Sequence, residues 1–132
     1  MDQPAQPGTM AEAIAGYRFA YLLTVSGKGA PHAVPASPVL RDGALAVGPI
    51  GRRTREFALA RPAVSLVWPP AAEDGYTLIV DGRAAVVDDV LRIAPTRAVL
   101  HRSRPAPTPA DPARCDSDCV ELALPAAASG QG

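Results

Sequence analysis

Turn-forming residues interrupt this chain so often that no long helix or extended apolar span fits between them. Ser26-Gly27-Lys28-Gly29, Asp42-Gly43, Pro49-Ile50-Gly51, Pro62, Pro69-Pro70, Asp81-Gly82 and Asp88-Asp89 cut the middle of the sequence into short runs. The Asp-Gly pair at 42–43 supplies the positive φ angles that a tight hairpin requires. Short runs rich in Val, Leu, Ile and Ala, bounded in this way, read as strands. The 15 prolines and 11 glycines follow no three-residue period, which excludes a collagen-like helix. With 132 residues, 48% of them hydrophobic, the chain predicts one globular domain that is mainly β and has a single core.

The order of elements follows from this punctuation. Residues 1–9 read as a flexible N-terminus, and residues 10–15 as a short helical turn ended by Gly16. Residues 19–25 form a buried strand that leaves through the turn at Gly27. Pro31, Pro35 and Pro38 confine residues 30–40 to an edge or irregular strand, because proline cannot donate to a ladder. Residues 44–48 return after Asp42-Gly43 and complete a meander. Residues 52–60 contain good helix formers and stop at Arg61-Pro62, which predicts a short helix. Residues 63–68 and 76–87 are strands, the second bent or bulged at Gly82. Residues 90–93 and 97–102 make one last interrupted strand, with Thr96 as an alternative helix cap. The expectation is six antiparallel strands with one or two short helices over residues 10–104. Residues 105–132, rich in Pro, Ala, Asp and Ser, predict an acidic tail that buries too little apolar surface to order.

Charge narrows the function classes. The formal net charge is +0, but both ends are acidic, so residues 18–104 carry an excess of +5. That excess suits a small anionic ligand better than a nucleic-acid backbone, and the six aromatics form no stacking array. No apolar run has bilayer-spanning length and no basic leader precedes one, which predicts a cytoplasmic protein without membrane contact. Cys115 and Cys119 are too few for a zinc site and read as free thiols, with a redox or metal role as the alternative. No nucleophile elbow, phosphate-binding Walker loop or dinucleotide Gly fingerprint is present.

The strongest local signal is Gly51-Arg52-Arg53-Thr54-Arg55. A helix start carries partial positive charge, so three arginines there are costly unless an anion sits on the free N–H groups. Forked guanidiniums and the Thr54 hydroxyl suit phosphate oxygens. A solvated basic turn is the competing reading.

Tyr21-Leu22-Leu23-Thr24-Val25, Gly27-Lys28-Gly29, Pro31-His32-Ala33-Val34-Pro35, Asp42-Gly43, Arg52-Arg53-Thr54-Arg55, Arg61-Pro62, Val64-Ser65-Leu66-Val67 and Val80-Asp81-Gly82-Arg83-Ala84, in this order, resemble the pyridoxamine 5′-phosphate oxidase-like, FMN-binding split-barrel superfamily. The resemblance spans residues 10 to about 104 and implies a split β-barrel homodimer, with flavin or deazaflavin bound at the subunit interface. It implies that His32, Ala33, Val34 and Pro35 lie along the flavin ring and that Arg52, Arg53, Thr54 and Arg55 hold the phosphate. Glu56 stands where the family often has Asn. The Arg- and Trp-containing C-terminal segment of true pyridoxamine phosphate oxidases is missing, so vitamin B6 synthesis is not expected.

The resulting expectation is an oxidoreductase using FMN on a small molecule. The alternatives are a carrier of coenzyme F420 or haem without turnover, and a barrel that has lost its cofactor. His32 offers a hydrogen bond to a flavin or an imidazole to haem, against a plain surface role. Trp68, before Pro69-Pro70, is a candidate to stack on the ligand, against a place in the core or interface. His101, in a basic stretch, meets substrate or partner, or is structural.

Overall fold

The computed structural model describes residues 8–103 and 117–125. It contains two helices, α1 (Met10–Ile14) and α2 (Arg52–Ala60). The strands are β1 (Ala20–Val25), β2 (Pro31–Ala36), β3 (Val39–Arg41), β4 (Ala44–Val47), β5 (Ala63–Trp68), β6 (Thr77–Val87), β7 (Val90–Ser103) and β8 (Ser117–Leu122). They form one sheet in the order β2-β1-β5-β6-β7-β4-β3, with β8 added to β7, and all pairings are antiparallel. None of the helices among the described residues is long and apolar enough to cross a membrane.

β2 and β3 follow one another in the chain yet end opposite sides of this path. Only Ser37 and Pro38 join them, and three residue steps span at most about 11 Å. The two ends of the sheet are therefore drawn together without pairing, which curls it into a barrel with an open seam. The prolines explain the seam. Pro31 and Pro35 stand opposite Val25 and Tyr21 at positions of the same parity, so the other edge of β2 lacks two of the donors a further strand would need.

The barrel interior is filled by alternate residues. Leu22, Leu45, Leu66, Leu78, Val80, Leu91 and Ile93 are fully buried, with Met10 of α1 closing one end. β1 alternates buried and exposed positions through Thr24, the pattern of a strand with one face on the core. α2 packs against β1 and β6 through buried Thr54 and Ala58.

Eight strands correct the expected six. One extra strand arises because residues 30–40 break at Ser37-Pro38, where the chain crosses the seam. The other is β8, in the stretch expected to remain a tail. β4 pairs with β7 only at Leu91–Ile93, leaving the second half of β7 open, and β8 covers it from Ala98 to Ser103. Leu122 is buried and Val120 packs on the core, two apolar contacts too few to stand out in a Pro/Ala-rich sequence. The rest of the expected tail, apart from residues 117–125, lies outside the described residues.

Gly8 and Thr9, at the end of the stretch expected to be flexible, are held in the same place, while residues 1–7 lie outside the described residues. Met10 N donates to Ala123 O at 2.9 Å and Ala123 N donates to Gly8 O at 3.0 Å. Thr9 and Glu12 form a capping box: Glu12 N donates to Thr9 Oγ1, and Thr9 N donates to Glu12 Oε1. The Gly8 and Thr9 N–H groups hold the Glu12 carboxyl below its ordinary value. Thr9→Ala is expected to cost about 1 kcal/mol, read by chemical denaturation at neutral pH. Separately, the Glu12 carboxylate's bonds to the Gly8 and Thr9 N–H groups contribute stability that is present above the ordinary carboxylate range and fades as pH falls through the lowered value, a loss that Glu12→Gln should abolish.

The last strand is continuous rather than interrupted, and Thr96 caps no helix. Asp81 pairs with Arg97 and Gly82 with Pro95, so Thr96 is the extra residue of a β-bulge. Pro95 is tolerated there, and Thr96 Oγ1 donates to Asp81 O at 3.2 Å. The bend expected at Gly82 is where the register shifts.

Candidate functional site

α2 begins at the open seam of the barrel. Its N-cap is Gly51, which has no side chain to cap the helix, and the first turn contains no acid. The N–H groups of that turn therefore keep their partial positive charge. Around this point lies a cavity of about 380 Å³ lined by Leu22, His32, Val34, Pro35, Val47, Pro49, Ile50, Gly51, Arg52, Arg53 and Thr54. Its volume falls within the range of small-molecule sites. One wall is β2, one is the segment leading into α2, and the floor is apolar.

The arginines of α2 and its end divide into two kinds. Arg55 donates to the carbonyl of Asp88 in the β6–β7 turn. Arg61 donates from Nε to Ser26 O at 2.8 Å and from an Nη to Gly27 O at 3.1 Å, pinning the β1–β2 turn. Arg52 and Arg53 stand at the cavity, and among the described residues the one ion pair is Arg97 with Glu121. Two guanidiniums are thus spent on backbone carbonyls, while Arg52 and Arg53 line the cavity and make no ion pair among the described residues.

The structure brings six of the sequence-predicted residues to one place: His32, Val34, Pro35, Arg52, Arg53 and Thr54. The His32 ring meets Phe57 of α2 edge-on, with centroids 5.1 Å apart at 90°, which ties β2 to the helix. Three expected residues lie elsewhere. Ala33 points to the exposed outer face, because strand alternation sends it opposite to His32 and Val34. Arg55, one turn on from Arg52, is drawn away by its bond to the Asp88 carbonyl. Trp68 is in the core, 2% exposed, opposite Leu78, so it has no face to offer a ligand; the alternative reading of a core tryptophan is the correct one. Glu56 is exposed and outside the cavity lining, so no acid opposes the arginines within it.

Other contributors were not singled out from sequence. Leu22, Val47, Pro49 and Ile50 join the lining only through the barrel's closure. Thr24 Oγ1 is buried without a hydrogen-bond partner, at the position paired with His32. A hydroxyl at an inward position of an otherwise apolar alternation is a signal that β1 contained. His101 is half-buried on β7, opposite Thr77 and Cys119. Cys119 is exposed, and Cys115 lies outside the described residues. Among the described residues, no three His, Cys, Asp or Glu side chains come together as a metal site.

No protein-family model matches the chain. It is 42% identical over 132 residues to two proteins named as uncharacterized, Mb0449c of Mycobacterium bovis and MT0457 of Mycobacterium tuberculosis, covering 88% of this chain and 93% of each of them. The chain belongs to the family of these mycobacterial proteins. Solved structures share its fold at low identity. An F420 reductase superposes with a TM-score of 0.58 at 15% identity, covering 71% of this chain and 98% of that one. Group A Streptococcus HupZ gives 0.57 at 17%, covering 69% and 90%. HutZ, the haem storage protein of Vibrio cholerae, gives 0.51 at 17%, covering 66% and 87%. At such identities the likeness shows the fold alone, an antiparallel split barrel.

Proposed function

We propose that this family member binds the phosphate-bearing chain and ring of FMN in the seam cavity and acts as an oxidoreductase on a small molecule. The observation that carries this reading is the uncapped, acid-free start of α2, with Arg52 and Arg53, which make no ion pair among the described residues, lining an apolar cavity beside it. Helix N–H groups and guanidiniums together select a phosphate. A bound flavin supplies the redox chemistry itself. Leu22, Val34 and Val47 exclude water from the floor, β2 gives an extended wall against which a planar ring is oriented, and His32 presents a hydrogen-bonding ring nitrogen.

A second reading has its own support. Coenzyme F420 shares the phosphate chain, and the imidazole of His32 suits haem iron; the fold neighbours include an F420 reductase and a haem storage protein. Titrating purified protein separately with FMN, F420 and haem, while following absorbance and fluorescence, distinguishes these. Saturable FMN binding competed by inorganic phosphate is the expected result. Preference for F420 or haem moves the function to the second reading, and binding of none of them means a barrel without its cofactor.

The same reading makes the protein a homodimer. The outer face of the sheet carries the row Tyr21, Val67 and Ile79 in register across β1, β5 and β6. Tyr21 and the neighbouring Leu23 are 40% and 37% exposed, an apolar patch that a second copy would cover. Leu23→Glu is expected to shift the dimer toward monomer in sedimentation velocity. A wild-type protein that sediments as a monomer at high micromolar concentration would refute the assignment.

A further inference from the structure

We propose that a second cavity, remote from the start of α2, binds a small aromatic carboxylate. This site lies between the α1–β1 connection and the β5–β6 connection, has a volume of about 590 Å³ and rests on Ala13 and Leu100. Half of the chain's six aromatic side chains, Tyr17, Phe19 and Tyr76, line it. Such a concentration of rings on two loops is the usual means of gripping a planar apolar body.

The walls are tied together. Tyr17 OH donates to Tyr76 O at 2.6 Å, joining the two loops across the site. Partial burial raises the Tyr17 hydroxyl above its ordinary value, so the phenol stays neutral and keeps its proton for this bond. Arg102 stacks on the Tyr76 ring at 4.4 Å, and Tyr21 holds Phe19 edge-on at 5.4 Å. These contacts arrange the rings before any ligand arrives, which lowers the ordering cost of binding.

The ligand's charge follows from what the lining leaves unmatched. Glu12 is at the rim, but its Oε1 already accepts from the Gly8 and Thr9 N–H groups. Arg18, the one basic side chain of the lining, makes no ion pair among the described residues. A ring system with one carboxylate satisfies both the aromatic walls and this guanidinium. The site is independent of the cofactor reading, because none of its residues lines the cavity at α2.

Calorimetric titration of the full chain with naphthoate, and with the neutral naphthamide as control, tests the proposal. Naphthoate should bind saturably and more tightly than naphthamide. Arg18→Gln should weaken naphthoate roughly tenfold and leave naphthamide unchanged, whereas Phe19→Ala should weaken both. Both side chains are exposed, and an unchanged thermal midpoint verifies that each variant folds. Arg52→Ala/Arg53→Ala should leave naphthoate binding as it is. Absence of saturable binding, insensitivity to Arg18→Gln, or competition by inorganic phosphate together with loss in the Arg52/Arg53 variant would overturn the assignment.

Discussion

Replacing Arg52 and Arg53 together by alanine is expected to weaken FMN binding by about 100-fold. Each guanidinium contributes a charge-assisted bond to phosphate worth on the order of 1.4 kcal/mol at a partly solvated site, which is tenfold per residue. Neither makes an ion pair among the described residues, so removing them leaves no buried anion behind and should not unfold the protein. Arg55→Ala is the internal control. Its guanidinium bonds to the Asp88 carbonyl, so affinity should change by less than about threefold while the β6–β7 turn loosens slightly. Raising the salt concentration should weaken wild-type binding and have a smaller effect on the double variant. Equal affinity in wild type and double variant would remove the phosphate from α2.

Gly82→Ala is expected to cost far more stability than a methyl added at Gly51. A Cβ at Gly82 would lie 2.6 Å from Ala94 O and 2.6 Å from Ile93 Cγ2. The first of these is backbone of the paired strand and cannot swing aside, so the β6–β7 ladder itself must move. Overpacking of this kind costs roughly 3 kcal/mol, and for a domain of this size it lowers the thermal midpoint by on the order of 12 °C. Gly51→Ala is the contrast: its Cβ would meet nothing within 4 Å, so only the loss of a favourable N-cap residue remains, about 0.5–1 kcal/mol. Differential scanning calorimetry separates the two. A Gly82→Ala midpoint equal to wild type would mean that the bulge at Thr96 absorbs the methyl.

Much of the molecule was legible before folding, and the misses have identifiable causes. Residues 52–60 and 63–68 became α2 and β5 with the expected bounds, because Gly51, Pro62 and Pro69 are strong local stops. The bulge at Gly82 was marked by a glycine inside a β-branched run. β8 was missed because its pattern is only Val120 and Leu122, and its reason to exist is the open edge of β7, which no local window contains. Within the site, His32, Val34, Arg52, Arg53 and Thr54 were found by residue chemistry and by family resemblance. Arg55 was included as part of the basic helix start and Trp68 as a ring able to stack on a ligand; the bond to the Asp88 carbonyl and the barrel interior took them away.

What the amino-acid sequence determined by itself is therefore local: where strands and helices start and stop, that β2 has a donor-poor edge, and that a basic, uncapped helix start exists. These depend on proline, glycine and alternation, whose effects act within a few residues. Only the tertiary structure decided which arginines keep their charge available, that β2 and the start of α2 face one cavity, and that Tyr17, Phe19 and Tyr76 meet at another. Those outcomes depend on the closure of the sheet through Ser37 and Pro38 and on carbonyl groups dozens of residues away, such as those of Asp88 and Ser26. Distances of that kind are set by packing the whole barrel at once, and no short stretch of chain encodes them.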